Sequence, residues 1–572
     1  MRRRILAVVA VALCTSLTAS PARAGGFETP DNGTEALGRG GAFTAKASDG
    51  TALQYNVAGL AGQRGTRILF DGKISINDYT FTRAGTYPGT TSAQQPWANA
   101  FFPTVKNQGG PFFAPFIAVS TDFGYFDRLT FALGAYGPSG VGNPTFPLGI
   151  AGGVPSPARY DVVQATSTII LPTVAAAYRL TDWLDIGAAA HYVLGSFNLI
   201  NVSYVDIGCP NYEAVQCDTT NHLVMSGSTF TASGGVMLHP SSWLDMGFNV
   251  RGPINITAQG TATSTTYAGN VSSGAATFAT ALPPQYRFGA RAKMMDGQFE
   301  QGDVEIDGVY EPWSTTGLGP TVDIPSISGF TNVNTVVLHK FTDVFSVRIG
   351  GAYNFRTSPD SVFTLRAGAY YESPSTASAD TRVDFNTLEK LAGTLGAGFQ
   401  YRGIGFNVAY AGIYSPERVV TDGEIRPINP AQGGAPIDAK GNLFPAVNNG
   451  EYTGFIHMIS FGVRVEMETL FGTKRSKRWT PQQTVPTDEI VISTPDTPPS
   501  REQAKPSAAS SPKPEPVAET PGEPMKPAPK PADARRKWAK PAPPPAPEPG
   551  KRPAKEPTNE DKERKLEDPF AN

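Results

Sequence analysis

Cysteine and histidine are nearly absent from this chain of 572 residues, which has three Cys and five His. That scarcity excludes a Cys/His metal cluster or a disulfide-dense scaffold as the organising principle, and no metal or cofactor is expected. Charge is sparse at 17%, against roughly a quarter in a soluble domain. Long apolar runs are missing too. Past the leader no segment approaches about 18 consecutive apolar residues, which excludes helical membrane spans. Catalytic patterns are also lacking. His191, His222, His239, His339 and His457 are scattered, with no H-E-x-x-H pair. Ser139 in "GPSGV" lacks the closing Gly of a nucleophile elbow. "GRGGAF" at Gly38–Phe43 lacks the strand and the Lys-Ser/Thr of a phosphate loop. On this reading the chain is not an enzyme.

What the sequence does have begins with an address. Met1 precedes Arg2, Arg3 and Arg4, an apolar run from Ile5 to Cys14, and the small-residue end Ala22-Arg23-Ala24. This is the pattern of a secretory signal peptide spanning 1–24. The exported chain keeps Cys209 and Cys217 in "CPNYEAVQC", a disulfide candidate in an oxidising compartment. The far end is different again. From Thr473 there are nineteen Lys/Arg against fifteen Asp/Glu, and from Pro481 there are 23 Pro in 92 residues. Such a composition cannot bury a core, and 473–572 is expected to be a disordered, extended tail. Arg535-Arg536-Lys537-Trp538 gives it a contact for peptidoglycan or a periplasmic protein; the alternative is a solvated spacer. The body from 25 to 472 is acidic by ten charges, which argues against nucleic acid as its partner.

Within the body, alternation recurs. In "LDMGFNVRG", Leu244, Met246, Phe248 and Val250 share one face, opposite Asp245, Asn249 and Arg251. "FSVRIGGAYNF" sets Phe345, Val347 and Ile349 against Ser346 and Arg348, and "FTLRAGAYY" sets Leu365 and Ala367 against Thr364 and Arg366. A period of two means strands with one apolar and one polar face. Fourteen strands are expected, near 66–82, 112–122, 128–138, 161–179, 183–204, 222–238, 243–258, 282–296, 302–314, 335–356, 361–373, 388–402, 404–418 and 452–470. Their connections alternate between short turns and long loops, the habit of outer-membrane barrels. The expected fold is an all-β, fourteen-stranded antiparallel transmembrane barrel over 63–472, with its apolar faces toward outer-membrane lipid. The small-residue segment 25–62 precedes the first strand and is expected to sit inside as a plug.

Here the chain resembles the FadL/TodX family of outer-membrane transporters for long-chain fatty acids and other hydrophobic compounds. "NGTEALGRGGAFTAKASDGTALQYNVAGL" looks like that family's N-terminal signature, matching at Asn32, Gly33, Ala36 to Phe43, Asp49, Ala52, Asn56 and Ala58–Gly59. "LPPQYRFGARAK", "GDVEIDGVYEPWS", "TLRAGAYYESPS" and "GEYTGFIHMISFGV" follow in family order. Val57 departs from the pattern, standing where the family has Pro, and so puts the local hatch geometry in doubt. The resemblance implies a barrel occluded by an N-terminal hatch, capture of ligand at the outer rim, an internal pocket and passive release. It also implies that Phe27, in Gly25-Gly26-Phe27, reaches the pocket as a gate, with Asn56 a second gating candidate in the hatch.

From the residues themselves, an apolar solute needs a greasy surface with few polar anchors. The long loop "GPSGVGNPTFPLGIAGGVPSPARY" carries Phe146, Leu148 and Ile150. They form either a docking groove or a packed cover across the barrel mouth. The lumenal Arg348 and Arg366 either attract a carboxylate headgroup or neutralise neighbouring acids. The expected function is passive outer-membrane transport of a hydrophobic ligand such as a fatty acid. The alternatives are a porin-like pore for small polar solutes and a structural barrel tethered to the wall by its tail.

Overall fold

A computed structural model describes residues 32–471, apart from 90, 93–94, 138–142, 206–208, 210 and 328. Fourteen long strands run up and down in chain order: β1 (Arg67–Arg83), β2 (Phe112–Thr121), β3 (Leu129–Tyr136), β4 (Gln164–Thr181), β5 (Leu184–Tyr204), β6 (Asp218–Ser241), β7 (Leu244–Arg251), β8 (Gln285–Asp296), β9 (Phe299–Glu311), β10 (Val344–Ser358), β11 (Ser361–Glu372), β12 (Lys390–Tyr401), β13 (Ile404–Val420) and β14 (Gly450–Glu466). Each pairs antiparallel with the next, and β14 returns to β1 over the full register from Arg67↔Glu466 to Arg83↔Gly450. The sheet therefore closes on itself as a barrel. One rim has tight turns. Between β12 and β13 only Arg402 and Gly403 turn the chain, both at positive φ (43° and 82°), as a two-residue hairpin turn of the primed type requires. The other rim has the long connections.

The wall is turned inside out relative to a soluble protein. Met246, Phe345, Val347, Ile349, Leu365, Ile459 and Phe461 are exposed, while Asp245, Asn249, Arg251, Ser346, Arg348, Arg366 and Ser460 are buried. Apolar side chains outside and polar ones inside fit a barrel whose solvent is lipid. Among the described residues no helix is long and apolar enough to cross a membrane.

Three local expectations change. The strand expected over 243–258 stops at Arg251, because Pro253 cannot donate to the ladder. Beyond it, Ile254–Thr266 and Val271–Leu282 form a hairpin that pairs with the upper part of β6, where 259–281 reads as a loop in the sequence. Similarly, 315–334 holds most of a second hairpin, Thr321–Ile327 with Phe330–Val336, and β10 begins at Val344, not near 335. The strands therefore rise well above one rim and build walls there.

One stretch of wall is thin among the described residues. β3 pairs with residues 116–121 of β2 and 171–178 of β4. Among the described residues, no strand pairs with 112–115 or 166–170 on that side.

Candidate functional site

Residues 32–63 are almost all buried inside the barrel. Two short helical turns, α1 (Thr34–Leu37) and α2 (Ala52–Tyr55), and a 3-10 segment, Val57–Gly62, give this hatch its shape. Its small residues allow backbone to lie directly against the wall. A Cβ at Gly350 or Gly368 would collide with the Arg39 backbone, so only glycine fits at those two positions. Polar groups then fix the contact. Thr34 Oγ1 donates to Asp71 Oδ1 at 2.6 Å. The amides of Phe43 and Thr44 both donate to Asp307 Oδ2 at 2.9 Å, and that of Ala45 donates to Glu305 Oε1 at 2.6 Å.

Ion pairs surround these bonds. Arg39 lies 2.7 Å from Asp303 and 3.2 Å from Glu305, with all three side chains fully buried. Arg291 bridges Asp303 at 2.7 Å, Asp245 at 3.0 Å and Glu300. Lys293 and His239 reach Asp245 at 2.8 and 2.7 Å, and His239 and Arg179 reach Asp185 at 3.2 and 2.8 Å. Buried charge is tolerable only when paired and hydrogen-bonded in this way.

The sequence-derived candidates fall mainly into this framework. Asn56 caps the 3-10 segment by accepting from Ala58 N at 3.2 Å, and its amide donates to Thr44 O at 3.0 Å and Val236 O at 3.1 Å. Val57 N–H donates to Asn249 Oδ1 at 3.3 Å. A proline there could not make that bond, so a tie to the wall stands where the family pattern has a rigid φ. Arg348 donates to Gly40 O at 3.3 Å and stacks 4.6 Å over Tyr370. Arg366 lies 3.3 Å from Glu35 of the hatch. Phe146 is buried against a cluster with Tyr79, Phe81, Val162 and Tyr452, Ile150 packs partly on it, and Leu148 is exposed. Cys209 and Cys217 are joined as a disulfide, with Cα atoms 6.4 Å apart. Phe27 lies outside the described residues. His191, scattered in sequence, does meet a serine, with Nε2 2.9 Å from Ser233 Oγ. Its other nitrogen meets Thr173 at 2.8 Å, and the ring is wholly buried. A nucleophile–base pair needs an orienting group and access to substrate, and this contact offers no carboxylate.

Above the hatch, toward the long-loop rim, the interior changes character. A cavity of about 420 Å³ opens between the upper parts of β4–β6, the two added hairpins and the loops at 382–385 and 424–436. Ile169, Phe197, Leu223, Phe278, Leu282 and Ile324 line it. The Phe197 and Phe278 rings lie 4.8 Å apart. Of the sequence-derived candidates among the described residues, none lines this cavity. Period-two alternation missed its walls because Ile169 points inward while Ile170 is exposed on the outside. Both faces are apolar here, and the pattern cannot tell which one holds a ligand.

One cavity wall is ionic. Arg382 pairs with Asp161 at 2.6 Å and with Asp384 at 3.2 Å, and Asp384 meets His339 at 3.0 Å. Burial, with Asp384 beside it, pushes the Asp161 carboxyl up to about 6 in spite of Arg382. Burial also raises Asp384, but His339 and Arg382 outweigh it and hold that carboxyl below its ordinary value.

The family model described as outer membrane protein transport protein (OMPP1/FadL/TodX) matches residues 15–427. The chain belongs to the OMPP1/FadL/TodX family. Its members are outer-membrane transport proteins of β-barrel fold. Solved structures agree on the fold. A FadL homologue from Pseudomonas aeruginosa is 16% identical, with a TM-score of 0.62 over 77% of this chain and 100% of that one. The toluene transporter TbuX of Ralstonia pickettii is 15% identical, with a TM-score of 0.52 and coverage of 77% and 100%. The toluene transporter TodX of P. putida is 13% identical, with a TM-score of 0.53 and coverage of 76% and 98%. No curated protein sequence matches the chain.

Proposed function

We propose that this family member carries long-chain fatty acids, or amphiphiles of that size, passively across the outer membrane. The apolar cavity above the hatch supports this most strongly. A cavity of ~150 Å³ suffices for benzene. The one here is about 420 Å³, which favours a longer ligand than the toluene named for TbuX and TodX. The polar, ion-paired hatch disfavours a porin-like pore, because a continuous wet channel would need those pairs to part. In this reading 1–24 is the signal peptide, 25–62 the hatch, 63–472 the barrel and 473–572 a periplasmic tail that contacts the wall or a periplasmic protein. Phe27, near the start of the hatch segment, gates the pocket. Asn32, at the hatch start, donates to Gly137 O at 2.5 Å, where β3 ends beside the thin stretch of wall. Ligand leaves laterally there. The test is to purify the barrel, extract what it holds and identify it by mass spectrometry. A bound long-chain acid is the expected result, and absence of any apolar molecule under every condition overturns the proposal.

A further inference from the structure

Two arginines on the inner face of β8 have unequal surroundings. Arg291 stands between Asp245 of β7 and Glu305 of β9 in the ladder, and it is paired with Asp245, Glu300 and Asp303. Arg287 stands between Asn249 and Val309, so the positions opposite it on both neighbouring strands carry no acid. It is wholly buried. Its Nε donates to Gln285 Oε1 at 2.9 Å. Among the described residues neither Nη1 nor Nη2 has a hydrogen-bond partner. Glu311, the acid bonded to the same Gln285, also accepts from Trp313 Nε1 at 2.8 Å. A buried guanidinium without a counter-charge is costly, and its planar fork fits one carboxylate bidentately.

Contacts lead from Arg287 to the start of the described chain. Its guanidinium lies over the Tyr55 ring, 4.9 Å from the centroid. Tyr55 Oη donates to Asn32 O at 3.0 Å, and the Asn32 amide donates to Gln54 Oε1 at 3.0 Å. Asn32 is the first described residue. Asp31 precedes it, a single step of ~3.8 Å between Cα atoms. Residues 25–31 read GGFETPD, so their acids are Glu28 and Asp31, and Asp31 is the nearer along the chain to this contact.

We propose that the Asp31 carboxylate is the partner of Arg287, in a buried ion pair that ties the first residues of the hatch to the barrel wall. Arg287 does not line the apolar cavity, so the tie is separate from ligand binding there. The inference rests on the reading of 25–62 as the hatch. Its test is hydrogen exchange of the full-length barrel, read by mass spectrometry over 25–36, in the unaltered protein, Arg287→Gln, Asp31→Asn and the double variant, with Glu28→Gln as control. Heat-modifiable gel mobility checks that each variant is folded. If Arg287→Gln does not fold, Arg287→Lys takes its place, with a smaller rise expected. The expected outcome is exchange faster by about tenfold in either single variant, no further rise in the double variant and no change in Glu28→Gln. Additive effects of the two changes, or an effect of Arg287→Gln that Asp31→Asn does not reproduce, overturn the ion pair and leave the hatch reading standing. In the second case a dependence on chloride concentration assigns the site to a solvent ion. Exchange of the segment as fast as a free peptide in the unaltered protein overturns both.

Discussion

The lower and upper halves of the barrel interior solve opposite problems with the same strands. Below, Arg39, Arg291, Lys293 and His239 are matched against Glu300, Asp303, Glu305, Asp185 and Asp245, and hatch backbone fills the remaining space. Above, β4, β5 and β6 turn Ile169, Phe197 and Leu223 inward around open volume. The difference teaches where each kind of interaction is useful. Directional pairs hold a segment in one place, because a buried charge left alone is costly. Non-directional apolar contact accepts a flexible guest and releases it again.

The largest expected effect comes from breaking the lower half. Arg39→Ala removes the only hatch arginine bonded to both Asp303 and Glu305 among the described residues. Loss of one partner of a buried pair typically costs about 3–5 kcal/mol. The hatch should loosen, with a lower melting temperature and new ion conductance in planar bilayers, while the affinity of the upper cavity for a fatty acid changes little. Conductance and stability like those of the unaltered protein would mean that these pairs do not hold the hatch.

The converse change is Ile324→Asp in the cavity wall. A carboxylate there must either stay hydrated or be desolvated against the guest, so affinity for a hydrophobic probe should fall by on the order of tenfold or more. Conductance should remain at the unaltered level. If the variant conducts, the two halves are mechanically one unit and the division drawn above fails.

The smallest effect is on pH. The Asp161 carboxyl titrates at about 6 in the folded chain, against an ordinary value of 3.8. The folded state therefore takes up a proton at this group between those values, and acidification through that window favours folding there. Above pH 6 the charged, buried form counts against stability. Asp161→Asn should flatten this part of the stability profile between pH 4 and 6, read by thermal unfolding at a series of pH values. An unchanged profile would assign the acid dependence to other groups.

The two halves were also unequally legible in sequence. The barrel could be read because its outer face keeps a strict period of two, as in Phe345, Val347 and Ile349 against Ser346 and Arg348. The hatch could be read because Gly, Ala and Asn cluster where backbone must meet backbone. The cavity was hidden for two reasons. One of its hairpins is rich in Thr, Ser and Ala, as in "VSSGAATFATAL", and resembles a loop when read for hydrophobic alternation. Its lining also comes from elements far apart in the chain, from Tyr160 to Pro436, which only the closed barrel brings together. The loop carrying Phe146 and Leu148 drew attention by its composition; Phe146 is buried with Tyr79, Phe81 and Tyr452, and its amide donates to Val163 O at 2.8 Å. The sequence signals that were present and passed over are Pro253, which ends β7's run, and the paired Ile169-Ile170, which marks a wall apolar on both sides.

The most direct test of the account is photo-crosslinking of the purified barrel with a diazirine-bearing long-chain fatty acid, followed by peptide mapping. The account predicts label concentrated in 271–282 and 321–336, at Phe278 and Ile324, and displaced by excess unlabelled acid. Label confined to outward-facing positions such as Leu365 and Phe461, with no displacement, would contradict it.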